Sequence, residues 1–171
     1  MADLKAEIET VLNQAAEIWN SQDYARLKEL WDTNDREPFY LAEEQDDWVF
    51  GWKQLEKYWE PVPGKRSIEA IMMRYYDVRA KLIAPDLAVA AFWVRHDMKM
   101  RGPLNAWGGN ARVTAVFRRK DGQWRFISYA EACMTPLRYM QKLYELNLSP
   151  EFAEFHKDIM DRENRAAEKA S

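Results

Sequence analysis

The sequence contains one cysteine and two histidines, and these small numbers exclude several kinds of site. A single thiol, Cys133, can form neither an internal disulfide nor a multi-cysteine metal site. The two histidines, His96 and His156, lie in different predicted elements, and neither has the second histidine four residues away that a helical metal site needs. The chain also lacks a Walker loop and a glycine-rich turn between a strand and a helix. We therefore expect no metal ion and no cofactor.

Nor does the sequence carry an excess of charge or a long apolar run. Its formal net charge is −3, and it has no basic stripe of the kind that binds nucleic acid. No segment approaches the roughly 18 apolar residues of a membrane span, and residues 1–10 lack the apolar region of a signal peptide. The sequence thus predicts a cytoplasmic protein that binds neither nucleic acid nor a membrane.

Aromatic residues, in contrast, are abundant: the chain has 8 Trp, 8 Tyr and 7 Phe. With 47% hydrophobic and 31% charged residues, the composition is that of a folded protein with a substantial core. The aromatic side chains can fill such a core, or they can line a cavity for a flat apolar ligand, since ligand pockets are mostly aromatic. Composition alone leaves both interpretations open.

The order of the predicted elements indicates one α+β domain over residues 1–171. Two helices, two short strands and a third helix precede Ser67, and four long strands follow. Long antiparallel strands curl, so we expect a strongly bent, mostly antiparallel sheet wrapped around the N-terminal helices as a cone-shaped barrel. This core covers about residues 4–135, further helices occupy about residues 136–161, and the tail at 162–171 is expected to fray.

The strongest local signal is the hairpin at residues 110–131. Its two arms are rich in β-branched and aromatic residues and flank Asp121-Gly122, a pair suited to a turn that requires positive φ. Several strands in this half of the chain are apolar on both faces. Because an apolar outer face usually meets another subunit, we expect a homo-oligomer, either a dimer or a trimer.

Strand periodicity identifies His96 as a candidate acid or base. In the predicted strand 87–100, alternate positions place His96 on the same face as Phe92 and Val94, which is the more apolar face. Imidazole changes charge near neutral pH and is therefore suited to proton transfer. The structural alternative is a core histidine whose nitrogens are satisfied by hydrogen bonds.

Two further charged candidates lie on the predicted strands. Arg74 and Arg79 are separated by an odd number of residues, so only one of them can face the concave side of a regular strand. Polarity favours Arg74, but neighbouring apolar pairs indicate either a bulge or a sheet buried on both faces, and on the supposition of a bulge we select Arg79 to hold an oxygen anion. Glu131 shares a strand face with Tyr129. A buried carboxylate needs an ionic partner or has a raised pKa, so Glu131 is either an ion-pair member or an acid/base group.

Three segments of the chain resemble a known superfamily in this order of elements: AEIWNSQDYARLKELW, GWKQLEKYW and DGQWRFISYAEA. The resemblance is to the nuclear transport factor 2-like superfamily, in its SnoaL-like branch, over about residues 5–135. It implies a cone-shaped α+β barrel with a deep apolar pocket. Members include cofactor-free isomerases, dehydratases and cyclases, together with binding and scaffold domains that have no activity.

Within this superfamily the chain is similar to scytalone dehydratases and to cofactor-independent diarylpropane lyases. The dehydratase pattern implies a pocket tyrosine at Tyr40 and polar pocket positions at Tyr129 and Glu131. The two histidines of that pattern fall near Phe92 and Asn110, so the histidine pair itself is absent. The lyases convert a lignin-derived diaryl diol to a stilbene and formaldehyde through a quinone methide, which suits a wide aromatic pocket.

We therefore expect a cofactor-free lyase that acts on a small aromatic substrate by acid/base chemistry. In this hypothesis His96 and Tyr40 transfer protons, Arg79 holds an oxygen anion, and Asn110 and Glu131 orient a hydroxyl. The expected pocket walls are Trp19, Tyr58, Trp59, Phe92 and Tyr129. Two alternatives stay open: a binding or scaffold domain with a sealed apolar interior, and an isomerase, dehydratase or cyclase acting on a polyketide or steroid.

Overall fold

The computed structural model describes residues 3–60, 67–103 and 105–170. The chain divides into two compact units, Met1–Cys133 and Met134–Ser171. The first unit contains all of the strands and the N-terminal helices, and the second contains two helices. A single domain over the full length of the chain stays a prediction.

The N-terminal unit has the expected α+β composition. Its helical elements are α1 (Leu4–Ser21), a 3-10 helix (Tyr24–Leu30) and α2 (Gly51–Trp59). Its strands are β1 (Phe39–Leu41), β2 (Val49–Phe50), β3 (Ile68–Ala84), β4 (Leu87–Met100), β5 (Trp107–Lys120) and β6 (Gln123–Cys133). The six strands form one sheet in the order β2-β1-β6-β5-β4-β3, and only β1 and β6 are parallel. Because β2 and β3 remain edges, the sheet is open and does not close into a full barrel.

Helix α1 covers one face of the sheet and packs against β3. The carboxylate of Asp3 caps the helix by accepting the backbone N–H of Lys5 at 3.1 Å. Near its other end, the side-chain oxygen of Asn20 accepts the backbone N–H of Met73 at 2.6 Å, which ties the helix to the strand. The apolar stripe predicted for this helix is buried at Ile8, Val11, Leu12, Ala15 and Ile18.

The hairpin between β5 and β6 forms as predicted. Asp121 and Gly122 both have positive φ, 51° and 78°, and the ladder runs from the pair Lys120 and Gln123 outward. Strand β5 begins before the predicted hairpin at residues 110–131, however, because Trp107-Gly108-Gly109 also belongs to the strand. Gly108 allows this, since a Cβ at that position would collide with the side chains of Asp97 and Arg95 on the neighbouring strand.

A bulge in β3 decides which side chains of this strand face inward. The pairing with β4 shifts register between Tyr76 and Arg79, and Asp77 there has a positive φ of 54°. Val78 is consequently buried, whereas Arg74 and Arg79 are both exposed. The prediction of a bulge is confirmed. The predicted inward placement of Arg79 is wrong. Arg74 and Arg79 are five positions apart, and the extra residue of the bulge between them puts both side chains on the outer face.

The C-terminal unit consists of α3 (Pro136–Leu146) and α4 (Phe152–Ala170). Helix α3 begins with Pro136 in its first turn, as the Thr135-Pro136 pair predicts. Helix α4 continues to Ala170, so it includes most of the tail for which we expected fraying. In the part of the chain that the structure describes, no helix is both long enough and apolar enough to cross a membrane.

Candidate active site

A cavity of about 890 Å³ opens on the inner face of the sheet of the N-terminal unit. Its walls come from the end of α1, the 3-10 helix, α2, the loop after β1 and the inner faces of β3, β4 and β6. Such a volume is within the usual range of small-molecule sites, roughly 300 to 1,000 Å³. The aromatic side chains that line it are Trp19, Tyr24, Tyr40, Tyr58, Trp59 and Trp107.

Glu131 places a carboxyl group at the inner end of this cavity. Its Oε1 accepts the hydroxyl of Tyr129 at 2.7 Å, and its Oε2 accepts the backbone N–H of Glu43 at 3.1 Å. Burial raises the pKa of Glu131 from its ordinary value to about 7, and the charges of Glu44 and Glu43 act in the same direction. The two hydrogen bonds oppose that rise without cancelling it. The carboxyl group therefore gains and loses its proton near neutral pH.

Tyrosines surround this carboxyl group. The rings of Tyr40 and Tyr129 stack with centroids 5.3 Å apart, because β1 and β6 are parallel neighbours that pair these two residues. Burial raises the pKa of Tyr40, Tyr75 and Tyr129 above the usual tyrosine value, and the charge of Glu131 raises all three further. These phenols consequently stay protonated at neutral pH and can only donate or share their protons as hydrogen bonds.

His96 lies on the inner face of β4 and lines the same cavity. Its side chain is 12% exposed, and its Nε2 lies 3.5 Å from Oε1 of Glu43. Glu43 thus contacts both candidate acid/base groups, the imidazole through its carboxylate and Glu131 through its backbone N–H. A carboxylate beside an imidazole orients the ring, which places its nitrogen for proton transfer.

A second phenol–carboxylate contact lies toward solvent. The hydroxyl of Tyr58 donates to Oε1 of Glu44 at 2.6 Å, and the Tyr58 ring lies 5.0 Å from that of Tyr40. Burial raises the pKa of Tyr58, and the neighbouring charge of Glu44 raises it again. A line of hydrogen-bonding groups therefore leads from the interior of the cavity to Glu44 at its exposed side.

Most of the residues selected from the sequence meet in this cavity. Six of the ten line it directly: Trp19, Tyr40, Tyr58, Trp59, His96 and Glu131. Tyr129 and Phe92 are buried behind the lining, where Phe92 packs edge-on against Tyr75 at 5.7 Å and Tyr129 supports the carboxyl group of Glu131. The roles of all these residues remain proposals.

Two of the selected residues lie outside the cavity, which corrects the expectation for each. Arg79 is exposed on the outer face of β3 because of the bulge described above. Asn110 also points outward, where its Oδ1 accepts the hydroxyl of Tyr76 at 3.0 Å. Strand alternation puts its neighbours Gly109 and Ala111 on the buried face instead.

Sequence reasoning missed the two acids of the loop after β1. Glu43 and Glu44 were part of an acidic loop with no assigned role, yet both line the cavity. A signal for Glu44 was available, since Tyr40, Ala42 and Glu44 alternate along the chain from a residue assigned to the pocket. Glu43 offers no such signal, because its contact with His96 joins residues far apart in the sequence.

The cavity therefore combines an apolar aromatic wall with an imidazole and a carboxyl group, each held by a polar neighbour. This arrangement can take a proton at one position and give a proton at another, which are the two requirements of an elimination. Within residues 3–60, 67–103 and 105–170, no cluster of three or more His, Cys, Asp or Glu side chains is arranged to hold a metal ion.

Comparison with solved structures places this architecture in a known fold. A provisionally named scytalone dehydratase from Novosphingobium aromaticivorans aligns with a TM-score of 0.67 at 11% identity, over 76% of this chain and 83% of its own. A nuclear transport factor 2-like protein from Salmonella enterica aligns with a TM-score of 0.66 at 16% identity, over 77% and 91%. A hexachlorocyclohexane dehydrochlorinase aligns with a TM-score of 0.63 at 15% identity, over 76% and 84%. At these identities the similarity establishes the fold alone.

Sequence comparison gives the family. No curated protein sequence matches the chain. The family model of the SnoaL-like domain, in contrast, matches residues 8–136, which include every strand and the whole cavity lining. The chain therefore belongs to the SnoaL-like domain family, and its fold is that of nuclear transport factor 2-like structures.

Proposed function

We propose that this protein is a cofactor-free lyase that eliminates a small leaving group from an aromatic substrate. The observation that supports the proposal is the presence of two acid/base groups, His96 and Glu131, on one largely aromatic cavity. Neither group forms an ion pair with a Lys or Arg of the residues that the structure describes, so both are chemically available. The cavity volume accommodates one or two aromatic rings.

In this proposal His96 is the general base and Glu131 is the general acid. His96 takes a proton from the substrate, and the carboxylate of Glu43 stabilises the imidazolium that forms. Protonated Glu131 gives its proton to the leaving hydroxyl, which departs as water. A pKa near 7 lets Glu131 donate at neutral pH and recover its proton afterwards.

The finer form of the proposal is the conversion of a phenolic diaryl diol to a stilbene. Glu131 protonates the benzylic hydroxyl and the C–O bond breaks with loss of water, while the phenol releases its own proton to solvent and supplies the electrons that give a quinone methide. His96 then takes the proton of the terminal hydroxyl, the adjacent C–C bond breaks, and formaldehyde leaves. The electrons of that bond form the new double bond and return to the phenolic oxygen, which takes a proton back from solvent. One proton given by Glu131 and one taken by His96 thus balance the loss of water and formaldehyde.

The names of two structural neighbours are consistent with elimination chemistry on this fold. One neighbour is named for the removal of water and another for the removal of hydrogen chloride. Both reactions need a base for one proton and assistance for the leaving group, and neither name refers to a cofactor. This supports elimination as a reaction class and leaves the substrate to experiment.

A direct assay tests the proposal. The purified protein is incubated with a phenolic diaryl diol and with simpler benzylic alcohols, while stilbene absorbance, alkene products and formaldehyde are recorded. We expect turnover of at least one substrate, and a loss of about 100-fold or more in His96→Gln. Arg79→Ala is the matched control, because Arg79 is charged but exposed on the outer face, and it should retain full activity. Full activity in His96→Gln would contradict the assigned base.

One observation favours a second candidate, an isomerase of polyketide or steroid ketones. Such an enzyme needs a carboxylate base deep in an apolar pocket and a hydroxyl donor for the developing enolate, and Glu131 beside Tyr129 and Tyr40 offers both types of group. Exchange of an α-proton of a cyclic ketone for deuterium in D₂O, without net elimination, would favour this candidate over the lyase.

We further propose that the protein assembles as a dimer or trimer through the outer face of β3 and β4. Tyr76 and Trp93 stack there with centroids 6.3 Å apart, and Met72 is 47% exposed beside them. Light scattering during size-exclusion chromatography should show an oligomer for the native chain and a smaller species for Met72→Glu. A monomeric native chain would contradict this assembly.

A further inference from the structure

We propose that the cavity selects ligands that carry a protonated amine beside an aromatic ring, and that it rejects aromatic carboxylates. The inference rests on the proposed function only in that both concern the same cavity. It names the charge class of the ligand that this cavity takes.

The ionisable lining is almost entirely acidic. Five acids line the cavity, and the described part of the lining contains no Lys or Arg and a single histidine. The acids are Asp23, Glu43, Glu44, Glu60 and Glu131. A concave surface with one sign of charge and low-dielectric walls concentrates the opposite charge and repels its own. An anionic substrate would therefore enter against the field, whereas a cationic one would be attracted.

Several arginines of the strands that form the cavity point to the opposite face of the sheet. The bulge at Asp77 places Arg74 and Arg79 outside together, and Arg74 approaches Asp97 at 3.8 Å on that outer face. Arg112 of β5 also lies outside, where it donates to the backbone oxygen of Cys133 at 2.7 Å. Register and bulge thus keep these three cations out of the cavity. Recognition of a carboxylate or phenolate would need such a cation, and the described residues of the lining include no Lys or Arg.

The aromatic walls supply a second, independent source of cation recognition. Trp19 and Tyr24 line the cavity with their rings 5.2 Å apart, and Trp59 and Trp107 line other parts of it. The faces of such rings attract an ammonium group, and aromatic rings combined with a carboxylate are the usual surroundings of bound ammonium ligands. The same rings stack on the aromatic part of the ligand.

Among the acids, Glu44 is the best placed to be the counter-ion. It lies at the exposed side of the cavity and accepts the hydroxyl of Tyr58 at 2.6 Å, which fixes its position. Glu43, in contrast, is engaged with His96 and lies deeper, 22% exposed. An amine at Glu44 would leave its aromatic ring pointing inward, toward Tyr40 and Glu131. The ligand would thus present its ring and side chain to the two acid/base groups.

A matched series of ligands tests the inference. The probes share a 4-methoxyphenyl ring and carry an ethylamine, an ethanol or a propionate group. Dissociation constants are measured by calorimetry at pH 7.5 with low and high salt, without any requirement for turnover. We expect the amine to bind about tenfold more tightly than the alcohol, and the carboxylate to bind most weakly. The preference for the amine should shrink as the salt concentration rises.

Variants locate the interaction. Glu44→Gln should weaken binding of the amine about fivefold to tenfold and leave binding of the alcohol unchanged. Glu37→Gln, which neutralises an exposed acid outside the cavity lining, should change neither. Equal or tighter binding of the carboxylate would overturn the inference, as would an amine preference that survives in Glu44→Gln. Failure of the lyase assay with the amine preference intact would instead overturn only the proposed function.

Discussion

Asp32 and Glu131 are both acidic residues in the interior of the N-terminal unit, and they have opposite surroundings. Asp32 is 1% exposed; its Oδ2 accepts Nη1 of Arg118 at 2.7 Å, and Nζ of Lys120 lies 3.8 Å from its Oδ1. Glu131 has a phenol and a backbone N–H as its hydrogen-bond donors, and no Lys or Arg of the described part of the chain contacts it. The first acid is thus surrounded by positive charge and the second by neutral donors.

Their pKa values diverge for this reason. At Asp32, burial opposes ionisation, but the hydrogen bond and charge of Arg118, together with Lys120 and the backbone N–H of Asn34, lower the pKa. At Glu131, burial raises the pKa to about 7 because its two hydrogen bonds are too weak to offset it. Asp32 is therefore a permanent charge that fastens the segment after the 3-10 helix to β5. Glu131 is a carboxyl group that can exchange its proton under working conditions.

The largest expected difference between the two acids concerns activity. Glu131→Gln keeps the size and the hydrogen-bonding capacity of the side chain but cannot transfer a proton, so kcat should fall about 100-fold to 10,000-fold. Asp32→Asn should retain kcat within a few fold under conditions where it is folded. Initial rates of both variants, with circular dichroism as the check on folding, measure this difference. Equal losses in the two variants would show that the acids are not functionally distinct.

Stability should show the reverse order. Asp32→Asn removes the closer of the two carboxylates at Arg118, at 2.7 Å, and leaves only Asp35 at 3.7 Å, so the free energy of unfolding should fall by about 2 kcal/mol. Asp86→Asn is the matched control, because Asp86 is exposed in the turn between β3 and β4. In this variant the free energy of unfolding should fall by less than about 0.5 kcal/mol. Urea denaturation monitored by tryptophan fluorescence gives both values. An unchanged midpoint in Asp32→Asn would rule out the anchoring role.

The two acids should also give opposite dependences of stability on pH. Glu131 has a raised pKa in the folded state, so the folded chain holds this proton more tightly and stability falls as pH rises from about 4.5 to about 7. Asp32 has a lowered pKa in the folded state, so its contribution is present above pH 3.8 and is lost as pH falls through the folded pKa. Urea midpoints between pH 3 and pH 8 test both statements. Glu131→Gln should remove the change in the urea midpoint between about pH 4.5 and pH 7 and leave the change below pH 3.8 in place. Asp32→Asn should do the reverse.

The smallest expected effect is that of a single hydroxyl. Tyr129→Phe removes the 2.7 Å hydrogen bond that favours the ionised form of Glu131, so the pKa of Glu131 should rise further. The midpoint of the pH–rate profile that reports Glu131 should move upward, while kcat at its optimum changes little. Tyr76→Phe, which removes an exposed hydroxyl from the outer face, is the control and should leave the profile in place. A downward shift in Tyr129→Phe would contradict the assigned hydrogen bond.

Local patterns predicted the parts of this fold that depend on local chemistry. The Asp121-Gly122 turn, the strand face of His96 and the shared face of Tyr129 and Glu131 follow from backbone conformation and alternation. The predicted orientation of Arg79 was wrong. Apolar pairs indicate that a bulge occurs in this strand, but they do not indicate that it occurs at Asp77. An aspartate tolerates positive φ, yet nothing in the sequence requires it at that position.

Long-range pairs were beyond the reach of the sequence. The partner of Asp32, Arg118, lies 86 residues away in the sequence. The backbone N–H of Glu43 donates to Glu131, which lies 88 residues away. Whether a given acid meets a cation or a phenol depends on which strands are neighbours in the sheet. The parallel pairing of β1 with β6 brings Tyr40 beside Tyr129, and no local pattern signals that pairing.

The central claim is that Glu131 retains its proton near neutral pH because it is buried among phenols and has no Lys or Arg partner among the residues that the structure describes. The most direct test is the ¹³C resonance of glutamate side-chain carboxyls followed from pH 3 to pH 9, with Glu131→Gln used to assign the signal. Our account predicts a titration midpoint near 7 for Glu131. A midpoint near the ordinary glutamate value of 4.5 would contradict it.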